Sequence, residues 1–412
     1  MSDWEPSLRQ LRAFEATASL ASISRAAEKL HLSQSAVSQS IANLEASLGL
    51  TLLQRRSSGS FVTHEGEVFR IRIARALKRM ELALATAVES SRNPRGIAEP
   101  MPGNVTSVQI SALIAIDEYG SYSAAAAALG ISQPSLNRHA RDIESLLRRT
   151  LFARTSLGKA TTRLGRELAR ELRLALKEVQ YGLEELAAIK GESHGTIVIG
   201  ILPLGASLLV SQALGRLSKA FPRMRAQIVE SPFETLLNWL QTGRIDVIIG
   251  TLRPDPLGGG IDEIPLFPDP YCLVVRREHP LCSIKHIDEE DLQKYEWILP
   301  RQGTPRRIAL ETLFKSLTPR PVTIVETSSM GLTRDLLLNG DRVTLLSRDQ
   351  IIFEDSLDLL RVLDFPLPTP SRVIGSITRS DWLPTELQQN FLRILHALAK
   401  DIVPRPAAKS EI

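Results

Sequence analysis

The strongest constraint on the fold is an internal repeat with a period of 99 residues. Shifting residues 22–66 by 99 positions superimposes 16 identical pairs among 45, without a gap. Apolar residues also fall on apolar residues, as Leu32 does on Ile131 and Val37 on Leu136. Two successive copies of one folding unit explain this pattern most simply. We therefore predict two similar domains in the first half of the chain.

Each copy has the pattern of three helices followed by a short hairpin. In the first copy, apolar residues recur at helical spacing in three runs, and Ser33 precedes the third run as an N-cap. Leu30 and Ser33 are so close that the second and third helices must meet at a tight turn, as in a helix-turn-helix. A polar, glycine-containing stretch at 57–60 lies between two short apolar pieces and predicts a two-stranded wing.

Long helices are predicted to follow each wing, at 67–91 and 166–190. Each carries an apolar seam with steps of three and four residues, which favours packing against a partner helix. The seams comprise Phe69, Ile73, Leu77, Met80 and Leu84, and then Leu168, Leu172, Leu176, Val179 and Leu183. The other face of the first helix is predicted to be basic, with Arg70, Arg72, Arg75, Lys78 and Arg79. Prolines and glycines predict a flexible linker at 92–105, long enough for the two units of one chain to pair as a pseudo-dimer.

Composition restricts the class of protein. With 412 residues, 43% hydrophobic and 23% charged, the chain has the composition of an ordinary globular protein of several domains. It has two cysteines, no apolar run long enough to span a membrane and no apolar signal at its start. We therefore expect a cytoplasmic protein without disulfides or membrane spans. Residues 1–190 carry 25 Lys+Arg against 19 Asp+Glu, a basic half that suits an anionic polymer.

Both copies resemble the winged helix-turn-helix of the LysR-type transcriptional regulators. In the first copy, at 1–66, the matching residues are Ala26, Ala27, Leu30, Ser33, Gln34, Ser38, Leu44, Glu45, Leu48, Gly49, Leu52, Arg55, Thr63 and Gly66. In the second, at 106–165, they are Gly120, Ser121, Ala125, Ala126, Leu129, Ser132, Gln133, Pro134, Arg138, Glu144, Leu151, Phe152, Arg154, Thr162 and Gly165. Most members of the family carry one such unit, and their linker helices pair between subunits. The resemblance therefore implies a homo-oligomer, a dimer or tetramer, unless the two units pair within the chain.

The same resemblance implies that the third helix of each unit enters the major groove of double-stranded DNA. The predicted DNA-binding residues are Ser33, Gln34, Ser35, Ser38, Gln39 and Arg55 in the first copy, and Gln133, Pro134, Asn137, Arg138 and Arg154 in the second. Gln and Asn suit adenine and Arg suits guanine, so the two helices should prefer different sequences. An isolated polar helix start is as often a solvated cap, but its duplication at a fixed register favours DNA reading.

From residue 195 the pattern changes to alternating strands and helices, which predicts an α/β domain with a mostly parallel sheet. This region resembles the effector-binding domain of the same family, two α/β lobes like those of a periplasmic binding protein. The residues that carry the resemblance are Gly243, Arg244, Ile245 and Asp246, and Glu278, His279, Pro280 and Leu281. The resemblance implies an effector-binding domain at 195–400, with one lobe from 195–280 and 366–400 and the other from 281–365.

A small-molecule effector is expected at the carboxyl ends of the strands. The predicted effector-binding residues are Pro203, Leu204, Ser231, Phe233, Thr304, Arg306, Arg307 and Ser329. An arginine at a helix start favours a carboxylate or a phosphate. The stretch 375–385 resembles the branch of the family that serves aromatic-acid catabolism and sugar uptake, so the resemblance implies an aromatic acid as the first effector to expect. The competing interpretation is that Arg306 and Arg307 are merely solvated.

Two other classes of function compete with a DNA-binding regulator. The sequence contains no nucleophile elbow, Walker loop or dinucleotide fingerprint, which argues against an enzyme. Cys272, His279, Cys282 and His286 fit the spacing of a zinc site only loosely, so we expect no metal and no cofactor. The alternative to a DNA-binding regulator is a small-ligand binding or metal-sensing protein whose N-terminal units serve oligomerisation.

Overall fold

The structure, a computed structural model, describes residues 6–56, 59–89, 105–155, 158–202, 206–253, 258–367 and 372–402. The chain divides into two compact units, Met1–Gly195 and Thr196–Ile412. Across the described ranges, no helix is both long and apolar enough to span a membrane.

The first unit contains the same run of elements twice. The first run is α1 (Leu8–Leu20), α2 (Ile23–Leu30), α3 (Gln34–Leu48), β1 (Leu53–Arg56), β2 (Gly59–Val62) and α4 (His64–Glu89). The second run is α5 (Ser107–Tyr119), α6 (Tyr122–Leu129), α7 (Gln133–Leu147), β3 (Phe152–Thr155), β4 (Gly158–Thr161) and α8 (Arg163–Ile189). The strands of each run form an antiparallel hairpin. This order of helices and strands is the one that the sequence repeat predicts.

Residues shared by the two copies hold each hairpin onto the third helix. Glu45 Oε1 accepts hydrogen bonds from the backbone N–H groups of Leu52 and Leu53, at 2.7 and 3.0 Å. Glu144 accepts the two equivalent bonds in the second copy, also at 2.7 and 3.0 Å. At the start of α4, a Cβ added to Gly66 would lie 2.0 Å from the carbonyl oxygen of Leu52, so no larger residue fits there.

Three helices of each copy end in a left-handed residue at equivalent positions. The pairs are Ala21 and Gly120, His31 and Gly130, and Gly49 and Arg148, all with φ between 50° and 66°. At every pair one copy has glycine and the other has a residue with a Cβ. Both copies therefore have the left-handed backbone at these positions, although only one residue of each pair is the glycine that favours it.

The long helices α4 and α8 pack along each other, and their seams lie inside the first unit. Seven of the predicted seam residues are buried and the other three are partly buried, and the buried residues of both copies form one hydrophobic cluster. The predicted seams are thus confirmed. Arg72, however, does not lie on an exposed basic face as predicted. Its side chain is buried between the two helices because Glu178 and Glu185 of α8 bind the guanidinium.

The described residues of the second unit form two five-stranded sheets. The first comprises β5 (Thr196–Ile201), β6 (Arg225–Glu230), β7 (Val247–Thr251), β8 (Ile261–Pro268) and β14 (Val373–Arg379). The second comprises β9 (Tyr271–Arg276), β10 (Glu296–Leu299), β11 (Thr323–Glu326), β12 (Arg342–Ser347) and β13 (Leu360–Leu363). The first sheet has the order β6-β5-β7-β14-β8 and the second has the order β11-β10-β12-β9-β13. Parallel pairs lie at β6-β5-β7 and β11-β10-β12, and the remaining pairs are antiparallel.

Helices cover both sheets, and covered strands such as β5 and β7 are apolar and buried over most of their length. The first sheet lies in one cluster with α9 (Ser207–Ala220) and α15 (Glu386–Lys400), and in another with α10 (Phe233–Gln241). The helices of the second sheet are α11 (Glu289–Gln293), α12 (Pro305–Phe314), α13 (Met330–Leu338) and α14 (Ile352–Ser356).

The boundary between the two predicted lobes is wrong. Residues 195–280 were assigned to one lobe, but β9 pairs with β12 and β13 and so belongs to the second sheet. The reason is packing, since Leu273 and Val275 of β9 are buried in the core of the second sheet. The chain therefore crosses between the sheets after β8, at 269–270, and returns before β14. The sequence did not reveal β8, whose residues are mostly polar or exposed.

Two landmarks of the family resemblance serve the fold. The carboxylate of Asp246 is buried and accepts a 2.7 Å hydrogen bond from the backbone N–H of Val198, joining the start of β7 to β5. The ring of His279 is buried against Tyr295, with centroids 4.4 Å apart, and its Nδ1 accepts from the N–H of Leu281. These residues stabilise the second unit and do not form a site.

Candidate nucleic-acid interface and ligand site

The N-terminal turn of α3 presents most of its predicted DNA-binding residues to solvent. Gln34, Ser35 and Gln39 are exposed, and Ser38 is half-buried. Ser33 caps the helix, and its hydroxyl accepts the N–H of Ala36 at 3.2 Å. The cap fixes the helix start, so that first-turn backbone donors and polar side chains project from the same end.

The equivalent turn of α7 has the same geometry with different side chains. Gln133, Pro134 and Arg138 are exposed, and Asn137 is half-buried with its Nδ2 donating to the carbonyl of Gln133 at 3.0 Å. Among the residues that the structure describes, the guanidinium of Arg138 has no hydrogen bond or ion pair. It is therefore available to an external acceptor, such as a guanine edge.

The predicted wing residues Arg55 and Arg154 occupy equivalent positions on β1 and β3. Their side chains lie outside the described part of the chain. Beside Arg55, the guanidinium of Arg56 lies 5.6 Å from the ring centroid of Phe61 on the neighbouring strand.

The predicted ligand residues of the first sheet are only partly placed. Pro203 and Leu204 lie outside the described residues. Ser231 is half-buried after β6, and Phe233 is buried at the start of α10 with the guanidinium of Arg253 stacked 4.4 Å from its ring centroid. Phe233 therefore packs into the first sheet's core and offers little free surface.

Three predicted residues at helix starts near the second sheet are engaged in protein contacts. Ser329 and Thr304 are N-caps of α13 and α12, and the Thr304 hydroxyl accepts the N–H of Arg307 at 3.2 Å. The Arg307 guanidinium binds Glu311 at 2.7 Å and Glu326 at 2.9 Å. Arg307 is thus neither merely solvated nor free to pair with an anion.

Arg306 differs from its neighbour. Its side chain is 7% exposed and its Nη1 has no hydrogen-bond partner among the described residues. Burial is the main cause that lowers the pKa of this guanidinium to about 10; Tyr271 opposes the change and the nearby Arg372 adds to it. A buried, partly unsatisfied cation in the first turn of α12 has the chemistry of an anion site.

Arg306 has polar neighbours that the sequence did not predict. Arg372 lies just before β14, binds the carboxylate of Asp269, and donates to Ser347 Oγ at 2.8 Å. Its guanidinium also lies 5.0 Å from the ring centroid of Tyr271. Asp269 and Arg372 stand on the two chain crossings between the sheets, so their ion pair joins the crossings. Their separation in sequence hid this pairing, since only the crossing topology brings them together.

A titratable carboxylate lies in the same electrostatic neighbourhood. Burial, and to a smaller extent Asp269, raise the pKa of Asp349 to about 6 against the opposing effect of Arg372. Asp349 follows β12 in a short 3-10 helix. Its charge therefore varies with pH in a range where the two arginines stay protonated.

The residues of the loose zinc pattern are not gathered into a site. In the described ranges, no three or more His, Cys, Asp or Glu side chains are grouped so that they could hold a metal ion. Cys272 is buried, its thiol donates to the carbonyl of Leu346 at 3.4 Å, and burial raises its pKa to about 12. Cys282 is exposed.

Sequence models of two protein families match this chain. The LysR substrate binding domain matches residues 190–400. The bacterial regulatory helix-turn-helix protein, lysR family, matches residues 8–67 and again residues 108–166. The chain belongs to the LysR family. This LysR-type protein is therefore a DNA-binding transcriptional regulator whose substrate-binding domain responds to a small-molecule effector.

Curated relatives of this LysR-type regulator include two that align over most of their own length. The HTH-type transcriptional regulator GalR of Pseudomonas putida is 30% identical over 92% of this chain and 94% of its own. The HTH-type transcriptional regulator GbpR of Rhizobium radiobacter is 31% identical over 58% of this chain and 81% of its own. A solved full-length OxyR variant from Pseudomonas aeruginosa has a TM-score of 0.54 at 21% identity, covering 75% of this chain and 99% of that one. The last likeness concerns the fold alone.

Proposed function

We propose that one chain of this regulator carries two winged helix-turn-helix units that pair as a pseudo-dimer and read DNA together. Three observations support the proposal: the family model matches the chain twice, α3 and α7 both begin in exposed polar turns, and α4 packs on α8. The N-terminal units then serve DNA binding and not oligomerisation alone. The regulator acts in the cytoplasm and binds its effector without transforming it.

The two units read different sequences because their exposed side chains differ. Gln34 and Gln39 of α3 favour adenine, whereas Arg138 of α7 favours guanine. Ser38 and Asn137 assist at the equivalent position of each helix, and Ser33, Ser35, Gln133 and Pro134 set the helix starts against the phosphates. Arg55 and Arg154 on the wings add contacts to phosphate or the minor groove.

Selection from a random DNA library tests this assignment, with the wild-type chain compared with Arg138→Ala at about 0.15 M salt. We expect Arg138→Ala to weaken binding by about 5- to 150-fold and to relax the preference at one base pair, since a bidentate contact contributes about 1–3 kcal/mol of discrimination. Arg141→Ala is the matched control, because Arg141 is exposed on α7 beyond its first turn. Unchanged selection by the Arg138→Ala variant would remove α7 from DNA reading.

The effector is proposed to be a carboxylate, aromatic or otherwise, bound between two lobes like those of a periplasmic binding protein. The observation that carries this is Arg306, a buried guanidinium with an unpartnered Nη1. The residues proposed to line the site are Pro203, Leu204, Ser231 and Ser329. The other predicted residues are proposed to hold the structure around the site, and these are Phe233, Thr304 and Arg307. Binding shifts the lobes towards a closed state and changes the spacing of the DNA-reading units.

A thermal-shift screen of aromatic and aliphatic carboxylates tests the effector site. We expect one class to raise the melting temperature of the wild-type protein and to lose this effect in Arg306→Met. Equal stabilisation of both proteins would place the carboxylate elsewhere. This outcome would leave the DNA-binding assignment untouched, because the selection experiment needs no effector.

A further inference from the structure

The helices α4 and α8 carry opposite charges at equivalent positions of the repeat. The 99-residue shift superimposes Arg72 on Glu171 and Arg79 on Glu178. Arg72 Nη1 binds Glu178 Oε2 at 3.1 Å, and Arg79 Nε binds Glu171 Oε2 at 2.8 Å. Arg72 and Glu171 thus occupy one position of the repeat, and Arg79 and Glu178 occupy another. Each ion pair joins one of these positions on α4 to the other position on α8. This is the contact pattern that a two-fold axis between two like helices produces.

The same two-fold geometry gives repulsive contacts when like helices pair. Two copies of α4 would place Arg72 against Arg79 twice, and two copies of α8 would place Glu171 against Glu178 twice. The side chain of Arg72 is 2% exposed and also binds Glu185 at 2.6 Å. Burial alone would lower its pKa, but its bonds to Glu185 and Glu178 outweigh burial and raise it. In an α4–α4 pair this buried cation would face another cation and lose its carboxylates.

The close contact between the helices is asymmetric as well. A Cβ added to Gly182 of α8 would lie 3.0 Å from the ring of Phe69 and 3.1 Å from Cβ of Arg72. The equivalent residue of α4 is Ala83, which has that Cβ. An α4–α4 pair would therefore press a methyl group against Phe69 at the point where α8 offers glycine.

We propose that α4 and α8 are a matched pair whose charges and close packing select the unlike partner and reject a second copy of the same helix. The partner of α4 is α8 of its own chain, which occupies the surface that a second copy would need. The two units are thus held together at a fixed register without a subunit dimer through these helices. The inference concerns pairing alone and holds whether or not both units bind DNA.

Cutting the chain between the two units after folding tests the pairing. A protease site is inserted at 92–102 in the full-length protein, the chain is cut, and association of the two pieces is measured by gel filtration and titration. We expect the wild-type pieces to remain together as a 1:1 complex. In Arg72→Glu with Arg79→Glu, and in Glu171→Arg with Glu178→Arg, we expect at least about 100-fold weaker association, since both ion pairs become like-charge pairs.

A sixfold charge exchange separates a specific pairing from general damage. Arg72 also binds Glu185, and Arg75 also binds Glu178, so Arg75→Glu and Glu185→Arg are added to the four substitutions. All of these ion pairs are then restored with reversed sign, and we expect association within about tenfold of the wild type, a 1.4 kcal/mol change. The matched control is Arg70→Glu with Lys78→Glu, which makes the same charge change on α4. Arg70 binds Glu67 of its own helix and Lys78 is exposed, so this control should stay associated.

Three results would overturn the proposal. The first is a folded sixfold variant whose pieces separate. The second is a protein with both Arg72→Glu and Arg79→Glu whose two pieces associate as tightly as those of the wild type. The third is release of the wild-type N-terminal piece as a dimer of itself, which would show that α4 accepts a second α4.

Discussion

Replacing Arg306 with methionine should stabilise the effector-free protein. The guanidinium is buried and its Nη1 has no partner among the described residues. Burial lowers its pKa from 12.5 to about 10. At 1.36 kcal/mol for each unit of pKa, keeping the charge inside costs roughly 3 kcal/mol. Because the charge is present in both folded and unfolded chains at any pH well below 10, this cost applies in full at pH 7.

Methionine is a flexible apolar side chain that fills most of the same space without the charge. After allowing for lost contacts of the guanidinium, we expect the free energy of unfolding to rise by about 1–3 kcal/mol. Urea denaturation at pH 7 followed by tryptophan fluorescence measures it, since Trp239, Trp297 and Trp382 all lie in the second unit with Arg306.

Arg307→Met is the matched control with the opposite expected sign. Its guanidinium binds Glu311 and Glu326, so its removal leaves two carboxylates without their cation. We expect a loss of about 1–3 kcal/mol. If Arg306→Met destabilised the protein as much as Arg307→Met, the Arg306 charge would be satisfied in the free protein. Arg306 would then have no unsatisfied charge to attract an anion.

Four further substitutions have expected outcomes. Arg148→Gly should raise the free energy of unfolding by about 1 kcal/mol in urea denaturation, because the left-handed backbone favours glycine, and Gly49→Ala should lower it. Glu144→Ala should lower it by about 2–4 kcal/mol, since two backbone N–H groups of the second hairpin lose their acceptor. In the wild type, the raised pKa of Asp349 makes stability fall as pH rises from about 4 to 6, where the folded state binds more protons. Asp349→Asn should flatten that part of a pH titration of the unfolding free energy.

The sequence predicted local structure well where one side of an element is apolar. The helix order of each copy and both seams follow from spacing and from the repeat, because the same positions are buried in both copies. The alternation of strands and helices predicted from residue 195 is also present in the second unit. Strand β8 was missed because it alternates too weakly, and with it the point where the chain crosses between the sheets.

Polar contacts between segments that are distant in the sequence could not be predicted. The sequence places Arg72 on an exposed basic face, and only the pairing of α4 with α8 explains its burial. The distinction between Arg306 and Arg307 likewise depends on which of two adjacent side chains meets Glu311 and Glu326. The crossing pair of Asp269 and Arg372 required the topology of both sheets.

The central claim is that a single chain holds a complete pair of unlike DNA readers. The most direct test is the number of chains bound to the shortest DNA fragment that retains full affinity, counted by native mass spectrometry and combined with footprinting. We predict one chain on a fragment with two unlike half-sites, the second of which loses protection in Arg138→Ala. Two chains on that minimal fragment, each protecting one of two identical half-sites, would contradict the account.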